Sequence, residues 1–541
     1  MSEVYRRLAE PQPSGLQGTL PFPADARRAA EWIEALPRTD VAATRRSLLK
    51  ALEALATLST LKGGTRREIA EVLRPIVVDV ALSTQRTYAG KPLPLAGDLA
   101  GLPGELSQLH LRLAHAYRLA AADLCAPSGS LPWLRGARVT AALQIASHHY
   151  VEAMRVAWRV YAGLPPGAWR GLHRCYRFAI ARELERRPST DTLVSDAATL
   201  QQRQLQVLLM SVLKPRGYAQ SEQDKLWTLC GAFVPHAPLR DSPTATSVGV
   251  PDDADEGPGG KAPPRQWLDL VSFAAAVESA IAASNGEKGI VVPDDGPPQE
   301  FPTDTLRKLR RALSSAAARQ FIRLDAGHAV DTVFGLSGVH YLVSGERDFD
   351  RFARDLLVDL PEAPERAAWS AGSGDSSAKV SMVSATVVDQ SFGGYRIRWG
   401  LDGATRLRVG EIVGLRLVDE DDDEWMLGIL RWLRYDPDGH VLAGVELISR
   451  AVAPVVLAST SAGRAPWRAL ELRPTYGGDD WLYLASQRLP QGEALAVARE
   501  SDPAADLLDQ RPSGRLADLR LLQVLGDYFL YRHAPGPTAQ S

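Results

Sequence analysis

Residues 387–399 are the stretch that most restricts how this chain can fold, and they read Val-Val-Asp-Gln-Ser-Phe-Gly-Gly-Tyr-Arg-Ile-Arg-Trp. The β-branched residues at the start favour a pleated strand, and Gly393 and Gly394 allow a tight turn or the close approach of another group. After the turn, an alternation with period two places Tyr, Ile and Trp on one face and Arg396 and Arg398 on the other. The stretch therefore predicts a hairpin whose second strand forms both a barrel wall and a cationic outer surface.

This hairpin resembles the PilZ domain, a bacterial module that binds cyclic di-GMP and whose second motif is Asp/Asn-x-Ser-x-x-Gly. Here Asp389, Ser391 and Gly394 form that motif. Later segments also resemble strands of the family, and they lie at 407–417, 425–435 and 440–447. The resemblance covers about residues 375–455 and implies an antiparallel β-barrel.

The resemblance also implies a set of ligand-binding residues. A site for cyclic di-GMP needs guanidinium groups that fork onto phosphates or guanine edges, and a small residue where a base approaches the backbone. Arg396 and Arg398 would supply the guanidinium groups and Gly394 the small residue. Asp389 and Ser391 would add polar contacts.

The first motif of the family, Arg-x-x-x-Arg, is expected shortly before the barrel. Between residues 361 and 388 the only basic residues are Arg366 and Lys379, so Arg366 is the nearest substitute and joins the predicted ligand-binding set. Pairs with the motif's spacing occur elsewhere in segments predicted to be helical, where that spacing is ordinary for a solvated face. Such pairs include Arg170 and Arg174, Arg307 and Arg311, and Arg347 and Arg351.

The composition is that of a soluble, multidomain protein. With 541 residues, a single core is not expected. The net charge of −2 gives no general attraction to nucleic acid or anionic membrane. No apolar run approaches the roughly 20 residues that span a bilayer, and no secretory signal is visible at the amino terminus. We therefore expect a cytoplasmic protein with no nucleic-acid partner and no direct membrane insertion.

The pattern along the chain separates helical from β regions. Apolar residues at helical spacing predict an all-α amino-terminal region, and later segments alternate as strands do. The predicted parts are an all-α helical domain at 25–235, a disordered linker at 236–264, a smaller helical segment at 265–360 with helices at 267–284, 303–322, 325–344 and 348–358, a second linker at 361–378, a PilZ-like β-barrel at 379–458 and an additional small β unit at 464–535.

No residue pattern in the chain combines a nucleophile with a general base, so we expect no enzymatic activity and no catalytic residues. The adjacent residues His148 and His149 point about 100° apart on a helix and have no cysteine or carboxylate at metal-ligand spacing. We interpret them as structural and expect neither a metal nor a cofactor.

Our leading hypothesis is a bacterial cyclic di-GMP receptor. Nucleotide binding at the barrel would change the exposure of a protein-interaction surface in the helical region, whose partner the sequence does not identify. The alternative is an adaptor whose PilZ-like barrel binds no nucleotide and acts only through protein contacts.

Overall fold

The structure is a computed structural model of the chain. It describes residues 2–11, 18–58, 61, 64–189, 191, 199–284, 288–291, 298–317, 324–357, 380–400, 407–418, 424–436, 438–459, 464–474, 481–490, 492–500, 514–517, 519–525 and 527–533. The chain divides into two compact units, residues 1–320 and 321–541. No helix in the described ranges combines the length and the apolar character needed to cross a membrane.

The first unit is predominantly helical. Its helices are α1 (Glu3–Ala9), α2 (Ala26–Glu34), α3 (Val41–Thr57), α4 (Thr65–Tyr88), α5 (Leu102–Asp123), α6 (Gly136–Arg159), α7 (Ala168–Ala181), α8 (Leu200–Val212), α9 (Gln220–Ala232), α10 (Val271–Ala282) and α11 (Thr303–Ala317). Its strands are β1 (Leu239–Arg240), β2 (Val248–Val250), β3 (Gln266–Leu268), β4 (Lys288–Val291) and β5 (Gln299–Pro302). The strands form a small sheet in the order β1-β3-β2 and a separate β4-β5 hairpin.

Local sequence explains where several of these helices begin. Asp25 accepts hydrogen bonds from the first turn of α2, Asp40 caps α3, and Thr199 forms a capping box with Gln202 at the start of α8. Helices α5 and α6 are buried over most of their surface and run through the core of the unit. The predicted helical amino-terminal region is confirmed.

The disordered linker predicted at 236–264 is wrong. The segment carries β1 and β2, and its acidic residues are paired rather than solvated. Asp253 lies 2.5 Å from the guanidinium of Arg174, and an Asp255 carboxylate oxygen accepts from the backbone N–H of Gly167, just before α7, at 2.5 Å. The arginines of α7 thus fix a segment whose composition alone is typical of disorder.

The second unit is mostly β. Its elements are β6 (Leu324–Asp325), β7 (Ala329–Phe334), α12 (Gly335–Val343), α13 (Phe349–Leu357), β8 (Val383–Ser391), β9 (Gly394–Gly400), β10 (Ile412–Leu417), β11 (Met426–Tyr435), β12 (His440–Ser459), β13 (Trp467–Pro474), β14 (Trp481–Ala485), β15 (Leu495–Ala498), β16 (Arg515–Leu516), β17 (Leu519–Leu525) and β18 (Tyr528–His533).

Six antiparallel strands of this unit form a barrel. The pairings run from β7 to β8, β9, β12, β11 and β10, and β10 pairs with β7 again. Val387, Ile397 and Trp399 are buried inside, as the alternation predicts, and the indole N–H of Trp399 donates to Thr332 Oγ1 at 3.0 Å. The predicted antiparallel barrel is therefore confirmed.

Strand β12 is long enough to belong to both the barrel and the additional β unit. Its first half belongs to the barrel, and its second half pairs with β13 and β15 in the additional β unit. Strands β14, β18 and β17 extend that sheet, and β15 pairs with β16. The unit has its own apolar core, which includes Val455, Leu457, Tyr483 and Tyr531.

The helical assignment of 265–360 needs two corrections. The segment contains strands as well as helices, and the division between the two units falls inside it, at residues 320 and 321. The helix predicted at 325–344 is wrong in its first half, because residues 329–334 form β7, a wall strand of the barrel. The barrel therefore begins well before residue 379. The predicted second linker, 361–378, lies outside the described residues.

Candidate ligand-binding site

The predicted motif forms the tight turn between β8 and β9. The Ser391 hydroxyl donates to the carbonyl of Gly394 at 3.2 Å and closes the turn. Gly394 has a φ of +150°, and a side chain there would overlap the carbonyl oxygen of Val445 on β12. Only glycine fits this position, because both the backbone angle and the neighbouring strand exclude a Cβ atom.

Asp389 and Arg396 face each other across the hairpin as paired residues of β8 and β9. The Arg396 Nη2 atom lies 2.6 Å from Asp389 Oδ2, and the Asp389 side chain is 7% exposed while that of Arg396 is 36% exposed. A nearly buried carboxylate thus holds a half-exposed guanidinium in one orientation. Arg398, two residues along the same strand face, is exposed.

Strand pairing adds residues that the sequence did not indicate. Arg396 pairs with Gly444 on β12, and a side chain on Gly444 would overlap the indole of Trp432 from β11. The indole of Trp432 therefore covers the backbone of Gly444, next to Arg396. Arg431, next to this tryptophan, forms an ion pair with Glu446 at 2.5 Å. An aromatic surface thus adjoins the guanidinium groups.

The tip of the turn carries a second aromatic and basic pair. Phe392 is 54% exposed, and the Arg450 guanidinium carbon lies 5.8 Å from the centre of its ring. A ring and a guanidinium at this distance offer two flat surfaces on which a nucleobase stacks. In the sequence, Phe392 and Arg450 are 58 residues apart, so no local pattern links them.

Strand β6 brings another part of the chain against the motif. Leu324 pairs with Gln390 and Asp325 with Asp389, and the Ala326 N–H donates to the carbonyl of Val388 at 3.1 Å. The residues immediately before Leu324 read Arg319-Gln-Phe-Ile-Arg323, which has the Arg-x-x-x-Arg spacing. Arg319 and Arg323 themselves lie outside the described residues.

The sequence prediction does not include this pair, because it starts the barrel at residue 379 and therefore expects the first motif at 361–388. In the structure, the first strands of the barrel region follow residue 323. The β-branched residues Val330, Thr332 and Val333, read as a strand, would have placed the start of the barrel correctly.

The structure brings five predicted site residues together on one hairpin. Asp389, Ser391, Gly394, Arg396 and Arg398 all lie within β8, β9 or their turn. The sixth predicted residue, Arg366, lies outside the described residues, so its role stays a prediction.

The first unit contains a separate cavity of about 210 Å³, lined in part by His110, His148, His149 and Glu152. The Nδ1 atoms of His110 and His149 lie 3.0 Å apart. Burial lowers the pKa of His110 to about 4 and that of His149 well below its usual value, so both are neutral at pH 7 and share one hydrogen bond. Within the described ranges, no three histidine, cysteine or acidic side chains are arranged to bind a metal ion.

Known proteins resemble the chain over most of its length. The family model for the N-terminal domain of the cyclic-di-GMP receptor FimW matches residues 27–244, and the model for its middle PilZ domain matches 267–365 and 361–454. The cyclic-di-GMP receptor FimW of Pseudomonas aeruginosa is 22% identical over 477 residues, which cover 78% of this chain and 77% of that protein. No solved structure matches the chain.

The second match agrees with the strand pairings, because it begins before β6 and β7 and ends within β12. Two successive domain models of one protein, matched in order along the chain, together with a relative covering more than three quarters of both sequences, establish homology. The chain is therefore a homologue of FimW and belongs to a PilZ-containing family.

Proposed function

We propose that this protein is a cyclic di-GMP receptor that binds the nucleotide on the outer face of its barrel. The observation that carries this proposal is the β8–β9 hairpin, where a buried carboxylate orients Arg396 beside a turn that only Gly394 fits. A phosphate of the ligand accepts hydrogen bonds from Arg396 and Arg398, and a guanine approaches the backbone at Gly394. The homologue FimW is a cyclic-di-GMP receptor, which supports the same ligand.

Arg319 and Arg323 complete the site in this proposal. They precede Leu324, which pairs with Gln390 inside the Asp389–Gly394 motif. Two guanidinium groups four residues apart in a segment that leads directly to the motif can close over a bis-phosphate ligand. In this proposal they provide the first motif, for which the sequence predicts Arg366 as a substitute.

The signalling role follows from where this arginine pair lies in the chain. Arg319 belongs to the first unit and Arg323 to the second, since the division falls at residues 320 and 321. A ligand that engages both arginines acts on the covalent connection between the units. We infer that the protein is a cytoplasmic, non-enzymatic effector whose helical unit contacts a protein partner in response to the nucleotide.

Calorimetric titration of cyclic di-GMP into the full-length protein tests the proposal. We expect saturable binding by the wild type and at least about tenfold weaker binding by Arg319→Ala/Arg323→Ala and by Arg396→Ala/Arg398→Ala, since each change removes two charge-assisted contacts. Arg307→Ala/Arg311→Ala on α11 is the matched control, because it removes two arginines at the same spacing. Arg366→Ala measures the contribution of the arginine that the sequence predicts as the substitute for the first motif.

The outcomes separate the possible sites and functions. Loss of binding in Arg366→Ala, with Arg319→Ala/Arg323→Ala unaffected, would assign the first motif to Arg366. No heat from the folded wild type would exclude the receptor function. It would leave the alternative, an adaptor whose barrel acts only through protein contacts.

A further inference from the structure

The turn between α5 and α6 exposes the two most accessible large apolar side chains among those described. Trp133 is 91% exposed and Leu134 is 83% exposed, and they are neighbours in the chain. Other exposed apolar side chains, such as Val271 at 53%, are considerably more covered. Exposing adjacent tryptophan and leucine side chains to water is unfavourable in free energy. An exposed apolar patch of this kind is typical of a binding surface. Residues 131–138 are called the Trp133 tip below.

The backbone that carries the Trp133 tip is held in place by hydrogen bonds. The Ala126 N–H donates to Ser130 O at 3.0 Å, and the Arg135 N–H donates to Pro132 O at 3.0 Å. Gly129 packs directly against the ring of Tyr5 on α1, and the Tyr5 hydroxyl donates to Ala122 O at 3.3 Å. The two apolar side chains therefore project from a supported turn.

Positive charge surrounds the two apolar side chains. Arg135 and Arg138 are exposed within the tip, and no acidic residue occurs between residues 124 and 138. A third arginine, Arg187, is exposed and reaches the start of α6, where its Nη1 would lie 3.2 Å from a side chain added at Gly136. This local charge contrasts with the net charge of −2 of the whole chain.

We propose that the Trp133 tip binds an anionic phospholipid surface. Tryptophan prefers the interface between headgroups and acyl chains, and a leucine beside it enters the apolar layer. Arginines around such a wedge contact lipid phosphates, and each contributes about fivefold to binding near an anionic membrane. This surface contact requires no spanning helix, and it differs from the expectation of no direct membrane insertion.

The tip's shape and charge favour a membrane over a protein partner. The two side chains protrude from a turn rather than line a groove, and the basic residues beside them match any anionic surface without a fixed geometry. A protein partner would need a pocket for both side chains and carboxylates placed around it. That partner is the alternative outcome of the test.

Sedimentation of the full-length protein with vesicles tests this proposal. We expect the wild type to sediment with vesicles of phosphatidylcholine and phosphatidylglycerol in equal parts, and to stay in solution with phosphatidylcholine alone. Trp133→Ser/Leu134→Ser should bind at least about tenfold more weakly, because the wedge supplies the apolar contact. Arg135→Gln/Arg138→Gln should lose about fivefold per arginine, and high salt should weaken the wild type.

Val271→Ser is the matched control, since it removes another exposed apolar side chain of the same unit and should bind as the wild type does. Circular dichroism of each variant shows whether it is folded. If Trp133→Ser/Leu134→Ser does not fold, the arginine variant still tests the proposal, because it keeps both apolar side chains. Failure of the wild type to sediment with anionic vesicles would overturn the proposal and favour a protein partner. Equal binding by Trp133→Ser/Leu134→Ser would overturn it as well.

Discussion

At the scale of single residues, the motif combines a structural requirement with a chemical one. Gly394 is required because Val445 of the neighbouring strand occupies the space of a side chain. Asp389 is nearly buried and orients Arg396. A ligand would therefore meet a guanidinium whose position is already fixed, so little conformational entropy is lost on binding.

Gly394→Ala should destabilise the barrel and abolish ligand binding. The added methyl group meets a backbone carbonyl that cannot move without breaking the β9–β12 pairing, and the φ angle is unfavourable for alanine, so we expect a loss of about 2–4 kcal/mol in the free energy of unfolding. Gly400→Ala is the control at the far end of the same strand, where a side chain meets no atom within 4 Å. Urea unfolding of both variants measures the difference, and equal stabilities would contradict the steric argument.

Residues close together in the sequence could be predicted to form the site, and residues from distant strands could not. The turn, the glycine and the alternating arginines of β9 follow from thirteen consecutive residues, 387–399. The indole of Trp432 reaches the site only because β11 and β9 are both neighbours of β12. Strand order decides such contacts, and it is not written in the local pattern.

At the scale of elements, two of the errors in the predicted fold have clear physical causes. Strand β7 runs directly into α12, so the apolar residues of 325–344 together predict one longer helix, although Val330, Thr332 and Val333 favour a strand. The composition of the acidic stretch at 252–256 predicts disorder, because it contains no information on the arginines of α7 that pair with this stretch in the fold. Tertiary contacts overrode local propensity in both places.

Lowering the pH should reduce the free energy of unfolding, because His110 on α5 is buried against His149 on α6. Burial lowers the pKa of His110 to about 4, so the folded state binds fewer protons than the unfolded state between pH 6.5 and 4. The stabilisation from a neutral His110 is fully present above pH 6.5, the usual pKa of histidine in the unfolded chain. It is lost as the pH falls towards about 4, the pKa in the folded protein. At about pH 5 this residue alone accounts for about 2 kcal/mol of lost stability.

The measurement compares urea unfolding of the wild type and His110→Gln at about pH 7.5 and about pH 5. Glutamine keeps a hydrogen-bonding group near His149 but does not titrate. We expect the variant to lose about 2 kcal/mol less than the wild type between the two pH values. An identical loss in both proteins would show that other buried groups carry the acid sensitivity, among them His149 and His115.

At the scale of the whole molecule, the order of parts along the chain places the proposed ligand-binding arginines at the connection between the two units. The helical unit ends where the barrel unit begins, and the arginine pair Arg319 and Arg323 spans that point. In the proposed receptor, a ligand that engages both arginines acts on the covalent connection between the units. Coupling between the units requires only that the ligand bind more tightly to one state of that connection than to another.

Hydrogen exchange of the full-length protein, with and without cyclic di-GMP, tests this coupling. We expect slower exchange in 324–332 and 387–398 on binding, because β6, β8 and β9 surround the site, and an altered rate in at least one helix of the first unit. Arg319→Ala/Arg323→Ala should lose both changes, while Arg307→Ala/Arg311→Ala should keep both. Protection confined to the barrel, at saturating ligand, would contradict the coupling and leave a receptor whose helical unit acts independently of the nucleotide.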